Sequence, residues 1–273
     1  MYYYIIDKFV KASKANISID DAGFLYGDGL FETMRFDNKK IFSPSKHINR
    51  LFQGLKIIGL KLQYSEEKLL NLLDKTISKN KLDSGIIRLM ITRGNLNVSS
   101  ENYNKPSIIV IIKNFYNIPE NPVRVLYLSE SNFPIIRFNP AIKSMNYIGN
   151  MLAKKHAEFN DAFEPVFYNN QNIITECAIR NIFYVKNQEL ITPSLDLGIL
   201  SGVMRDTIIE VASSMKLNIK EDYISFNNIN EMDEAFISST GIGLLPCYWE
   251  GWNSKFEVTN QIKKELFNRI NNS

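Results

Sequence analysis

Near the middle of the chain, Asn117-Ile-Pro-Glu-Asn-Pro122 combines two prolines with no hydrophobic periodicity, and this segment limits what the 273 residues can fold into. Proline lacks an amide hydrogen and restrains the residue before it, so neither a helix nor a paired strand runs through such a stretch. A single core also stops growing near this chain length. Two domains are therefore expected, residues 1–116 and 123–273, with 117–122 as the linker.

The first half alternates sheet and helix. Residues 2–10 and 30–36 are rich in aromatic and branched side chains and read as strands, and Asn38, Lys39 and Lys40 turn the second into a hairpin with Ile41 and Phe42. Ser45 reads as an N-cap after Pro44, and Ile48, Leu51, Phe52, Leu55 and Ile58 follow at helical spacing, with His47 and Arg50 off that stripe. Leu69, Leu70, Leu73 and Ile77 mark a second helix, and 86–92 and 108–112 two more strands. The sum is a small α+β domain. The second half opens with a strand at 123–128. Lys143 then precedes a helix whose apolar face is Tyr147, Ile148, Met151 and Leu152. Short strands are expected at 165–168, 172–176 and 181–185. A helix beginning near Ser201 and Gly202 carries Val203, Ile208, Val211, Ala212 and Met215. A late strand from Glu234 to Ser238 runs into Ser239-Thr240-Gly241, and a last helix covers 262–270.

Several function classes fall away. The 32 basic and 29 acidic residues are well mixed, so no basic stripe is offered to nucleic acid. No apolar run is long enough for a bilayer, and Asp7 and Lys8 break the N-terminal apolar run, so neither a membrane span nor a signal peptide is expected. Cys177 and Cys247 stand far apart without metal-ligand spacing, which argues against a disulfide framework or a zinc site and for a reducing, cytoplasmic setting. With only His47 and His156 present, neither in a catalytic motif, both histidines read as structural. Gly27-Asp28-Gly29 lacks the rest of a dinucleotide fingerprint, and no phosphate-loop motif occurs.

An ordered series of motifs carries a family resemblance over essentially the whole chain. It comprises Asp20 to Arg35 (DDAGFLYGDGLFETMR), His47-x-x-Arg50-Leu51, Arg88 to Gly94 (RLMITRG), Lys143 to Asn150 (KSMNYIGN), Thr175 to Phe183 (TECAIRNIF), Thr192-Pro193 through Arg205, and Asp233-Glu234 leading to Ser239-Thr240. This series resembles the class IV aminotransferase and 4-amino-4-deoxychorismate lyase family of fold type IV enzymes. The resemblance implies an α+β fold of two domains, a small α+β N-terminal domain and a larger pseudo-barrel domain, with pyridoxal 5′-phosphate between them, in a homodimer.

Residue by residue, the resemblance implies that Lys143 is the catalytic lysine that holds the cofactor aldehyde, and Glu176 the acid beside its pyridine nitrogen. Arg50, the backbone of Val203 and Met204 at a helix N-terminus, and the hydroxyls of Ser239 and Thr240 match the phosphate site, chemistry that suits a dianion. Tyr147 matches a position near the phenolic oxygen and Leu200 one that packs on the ring. Phe31, Thr33, Arg93 and Arg180 fall in or near the substrate pocket, and loops around Phe31 or Arg93 are placed to reach a neighbouring subunit.

Within the family, the substrate is an amino acid or aminodeoxychorismate. D-amino acid aminotransferases place a tyrosine where Phe31 stands and a carboxylate-trapping arginine and histidine where Val98 and Ser100 stand, so that reading weakens. Thr33, Cys177 and Gly202-Val-Met-Arg205 resemble lyases, which puts the lyase first, a branched-chain-type aminotransferase second and a non-catalytic cofactor-binding protein last. Arg180 stands where the family has a small residue, and is expected either to bind a substrate carboxylate or to form a surface salt bridge.

Overall fold

The computed structural model describes residues 1–96 and 105–271, which form two compact units, Met1–Tyr116 with Ile142–Asn146, and Asn117–Ala141 with Tyr147–Ser273. Residues 142–146, which the linear reading assigns to the second domain, group with the first because their backbone pairs with one of its strands.

In the first unit β1 (Tyr2–Ile5) and β2 (Lys8–Lys11) are separate strands, not one. Ile6 and Asp7 between them both take positive φ, 41° and 68°, which matches a tight hairpin turn to the twist of its strands. The remaining strands are β3 (Gly29–Asp37), β4 (Lys40–Ile41), β5 (Gly85–Thr92) and β6 (Ser107–Lys113), and the antiparallel order is β2-β1-β6-β5-β3-β4. A short α1 (Ala22–Tyr26) precedes β3, while α2 (Pro44–Ile57) and α3 (Glu66–Asn80) supply the helical layer. Pro44 lies in the first turn of α2 with Ser43 at the N-cap, two residues before the Ser45 of the sequence reading. That position loses nothing by proline's missing N–H. Strict alternation sorts the two faces of the sheet. Leu30, Met34 and Phe36 of β3 and Ile87, Leu89 and Ile91 of β5 join Ile48, Leu51, Leu55, Leu69 and Leu73 in one core, leaving Phe31, Thr33 and Arg88 on the opposite face.

The second unit is built on β7 (Val123–Ser129), β8 (Glu164–Tyr168), β9 (Ile174–Cys177), β10 (Asn181–Lys186), β11 (Glu189–Pro193), β12 (Ile219–Asp222), β13 (Glu234–Ser239) and β14 (Gly243–Tyr248). Their order is β12-β11-β10-β13-β14-β7-β8-β9. β9 is an edge strand and β10 lies third from the far edge, yet only residues 178–180 join them, so the sheet has to curl into a half-barrel. Around it stand α4 (Ile148–Phe159), α5 (Val203–Ser214) and α6 (Glu257–Asn271). Glu234 fixes the start of α6 by accepting from the Val258 and Thr259 N–H groups at 2.9 and 2.7 Å.

Two expectations need correction here. The apolar face assigned to α4 is exposed: Ile148, Met151 and Leu152 are 64%, 41% and 45% accessible, and the helix packs through Gly149, Ala153 and Ala157 instead. Small residues let its backbone approach the sheet, which the hydrophobic pattern could not announce. The strand β14 was also missed, because Pro246 sits inside it. Pro246 faces Phe236 of β13, and the pairing with β7 begins only at Cys247, so the missing N–H costs no bond on that edge. No described helix is long and apolar enough to cross a membrane.

Candidate active site

In the first unit, residues 143–145 run as an added strand along β3. Phe31 N–H donates to Lys143 O at 3.0 Å and Met145 N–H to Gly29 O at 3.0 Å, while Asn146 Nδ2 donates to Gly27 O at 3.1 Å. Gly27 tolerates no side chain, since its φ is +68° and a Cβ would lie 2.5 Å from Asn146 Oδ1. The lysine backbone is thus held from both ends. Its Nζ stands 4.7 Å from the centre of the Phe31 ring, and the Arg88 guanidinium stands 4.7 Å from the same centre. Arg88 Nε donates to Thr33 Oγ1 at 3.1 Å across the β3–β5 register. Phe31, Thr33, Arg88 and Lys143 therefore make one group, in which two cations lie near one aromatic ring. Sequence reasoning passed over Arg88 because one outward charge in a strand looks like an ordinary solvated residue.

On the opposite face of β3, Glu32 is fully buried and receives His47 Nδ1 at 2.7 Å and a two-pronged contact from Arg50, Nε at 2.7 Å and Nη2 at 2.6 Å. Burial pushes the Glu32 carboxyl up, but the Arg50 charge and the hydrogen bonds from His47 and Arg50 outweigh it and hold the carboxyl at about 2. Burial likewise drives the His47 imidazole below its usual range, and the charges of Arg50 and Lys143 push the same way against Glu32. The structural reading of His47 stands in a stronger form than its sequence position suggested, since it is completely buried. Arg50 is held as a fork at the mouth of this cluster, 14% accessible.

Arg93 pairs within the first unit. Its guanidinium binds Asp28 through Nε at 2.5 Å and Nη2 at 3.1 Å, and Nη2 also reaches Ile58 O at 3.0 Å. It braces the unit's own Gly27–Gly29 loop. Val98 and Ser100 lie outside the described residues.

In the second unit, Glu176 at the end of β9 pairs with Arg137 and accepts from Leu200 N–H at 3.2 Å. Arg137 also pairs with Glu130 and donates to Thr175 Oγ1 at 3.1 Å. It escaped sequence reasoning because it lies in an irregular stretch with no periodicity. Asn181 opens β10 opposite Ser238 of β13, and its Nδ2 donates to Leu200 O at 2.9 Å. A Cβ on Gly202 would meet Asn181 Oδ1 at 2.0 Å. Leu200, Gly202, the start of α5 and the end of β13 with Ser239 and Thr240 therefore gather around Asn181. Gly202 is the N-cap of α5 and no side chain caps that end, so the N–H groups at Val203 and Met204 begin a 12-residue helix with its positive pole uncovered by a cap. Ser238 Oγ beside them is buried without a hydrogen-bond partner. Tyr147 is half-buried at the N-cap position of α4.

Arg180 is neither exposed nor in a surface pair. It is 7% accessible, lies 4.7 Å from the Phe163 ring centre and pairs with the fully buried Glu164, so its guanidinium is committed inside the unit. The surface-salt-bridge reading of this residue gives way to a buried ion pair. Among the described residues no cluster of His, Cys, Asp and Glu is arranged to hold a metal ion.

This donor set fits pyridoxal 5′-phosphate. The first unit holds an amine and an arginine, and the second holds an acid with its counter-charge, an uncapped helix start and two hydroxyl residues.

The family model described as amino-transferase class IV matches residues 29–248. A Methanocaldococcus jannaschii protein named "Putative branched-chain-amino-acid aminotransferase" is 32% identical over 251 residues, 91% of this chain and 87% of that one. The D-alanine aminotransferase of Listeria innocua is 32% identical over 254 residues, 90% of this chain and 86% of its own length. Among solved structures, a "Putative 4-amino-4-deoxychorismate lyase" from Legionella pneumophila superposes with a TM-score of 0.84 at 25% identity, covering 94% of this chain and 96% of that one.

Proposed function

This chain belongs to the class IV aminotransferase family, whose cofactor is pyridoxal 5′-phosphate, and from that we propose that it transfers amino groups between a branched-chain-type amino acid and a 2-oxo acid. The observation that carries this reading is the grouping of Lys143, Phe31 and Arg88 on one face of the first unit's sheet. When bound, the cofactor supplies an electron sink for the substrate α-carbon. Lys143 Nζ would hold the cofactor aldehyde and would serve as the base that moves the substrate α-proton. Arg88 offers its charge to a substrate carboxylate, and Phe31 gives both cations an aromatic surface to lie against. Arg50 in the first unit, and Val203, Met204, Ser239 and Thr240 in the second, match the positions that would bind the phosphate. Glu176, with Arg137 as counter-charge, would pair with the pyridine nitrogen. Tyr147 and Leu200 match the positions that would serve the phenolic oxygen and the ring.

The lyase reading, first on residues alone, becomes the second. Thr33 and the similarity to the Legionella protein favour it, but the two curated relatives bear aminotransferase names over about nine-tenths of this chain. Phe31 still weighs against a D-amino acid substrate. An assay separates the readings: amino transfer from leucine, isoleucine or valine that depends on 2-oxoglutarate supports the proposal, whereas pyruvate and 4-aminobenzoate formed from aminodeoxychorismate without an acceptor supports the lyase.

We also propose a cytoplasmic homodimer. The exposed Ile148, Met151, Leu152 and Phe159 of α4 give one chain an apolar surface that a second copy would cover.

A further inference from the structure

Arg180 lies in the tight turn between β9 and β10, where Cys177 N–H donates to Arg180 O at 3.0 Å. Three further hydrogen bonds tie this turn down. Ala178 N–H reaches Pro165 O at 3.3 Å, Asn150 Nδ2 reaches Ala178 O at 2.8 Å, and Ile179 N–H reaches Glu164 Oε1 at 2.9 Å. The second oxygen of Glu164 takes the Arg180 guanidinium, which lies against the Phe163 ring. A fully buried carboxylate therefore holds both the backbone and the side chain of one turn.

The residues flanking that turn have a common target. Glu176, just before it, accepts from Leu200 N–H, and Asn181, just after it, donates to Leu200 O. Both polar groups of one peptide residue are thus gripped by the two ends of the turn, two residues before Gly202 opens α5. Any shift of the turn alters the separation of Glu176 and Asn181, and with it the placement of Leu200 and the start of the helix.

We propose that Arg180, through its buried pair with Glu164, is a positioning residue that sets Glu176 and the Leu200–Gly202 segment toward the cofactor. This rests on the reading of Glu176 as the pyridine-nitrogen partner. A buried ion pair is weak as a source of net stability, because desolvation offsets much of the attraction, but its removal from one side leaves an uncompensated charge. Position and stability can therefore be separated by removing both charges together.

The test compares wild type, Arg180→Met, Arg180→Lys, Glu164→Gln/Arg180→Met and Glu176→Gln, each supplied with pyridoxal 5′-phosphate. Three quantities are read: the cofactor dissociation constant, the pH midpoint of the bound cofactor's visible absorbance band, and the thermal midpoint. Arg180→Met is expected to weaken cofactor binding by about tenfold and to move the band midpoint in the same direction as Glu176→Gln. Arg180→Lys should recover part of both. The double variant should regain thermal stability while keeping the altered band midpoint, and it serves where Arg180→Met does not fold. A wild-type band midpoint and dissociation constant in the double variant, with Glu176→Gln shifted, would overturn the positioning role alone. An unshifted Glu176→Gln would overturn the reading of Glu176, and the inference with it.

Discussion

Glu32 is ionised at the centre of the first unit because three hydrogen bonds from His47 and Arg50 replace its hydration. The consequence is a defined acid sensitivity. His47 is held below its usual 6.5, so the unfolded chain takes up a proton there that the folded chain refuses, and stability declines as pH falls below 6.5. Glu32 is held at about 2 against a usual 4.5, so its contribution is complete above 4.5 and is lost as pH falls from 4.5 toward 2. Urea titrations across this range should give two successive losses in wild type. Glu32→Gln should start about 3–5 kcal/mol less stable at pH 7, because Arg50 loses its buried partner, and should lack the lower step. A flat profile in wild type would contradict this account. At the same scale, Arg88→Leu should raise KM for the acceptor 2-oxo acid by about tenfold or more, with a smaller effect on kcat, if Arg88 meets a carboxylate in the ground state.

Among the elements, α5 carries the most specific expectation. At its N-cap a Cβ would stand 2.0 Å from Asn181 Oδ1, so any side chain on Gly202 would displace Asn181. Gly202→Ala should push Asn181 off Leu200 and weaken cofactor binding by about tenfold or more, while Ala212→Gly, nearly three turns on, should lower the thermal midpoint without a comparable change in affinity. Equal cofactor affinity in Gly202→Ala and wild type would sink this role for the helix start. The start of α5 was readable from sequence, as were α2, α3 and most strands of the first unit, because their apolar spacing is strict. β14 was not, since proline argues against a central strand and only the offset pairing with β7 removes the objection. Arg137 and the Arg180–Glu164 pair were equally hidden: a lone arginine in an irregular stretch or a turn reveals its partner only when strands far apart in sequence come together.

For the whole molecule, the pattern on α4 ties fold to assembly. A helix that packs through glycine and alanine and exposes isoleucine, methionine, leucine and phenylalanine has an unpartnered face in the single chain. Light scattering should report twice the 31.5 kDa chain mass, and Met151→Glu combined with Leu152→Glu should return it to the single-chain value. A monomeric wild type at micromolar concentration would contradict the homodimer. The motif order was legible across nearly the entire chain. The roles proposed for Lys143, Glu176 and Arg50 are the same in the lyase and aminotransferase readings, so the choice between them is not written in those residues.

The central claim is that Lys143 holds the cofactor covalently, and the most direct test is the absorbance spectrum of the purified protein before and after borohydride, for wild type and Lys143→Ala. The account predicts a near-visible band in wild type that borohydride bleaches, leaving the cofactor fixed to the peptide that contains Lys143, and no such fixation in Lys143→Ala. Fixation at another lysine, or no cofactor bound by wild type even in excess pyridoxal 5′-phosphate, would contradict it.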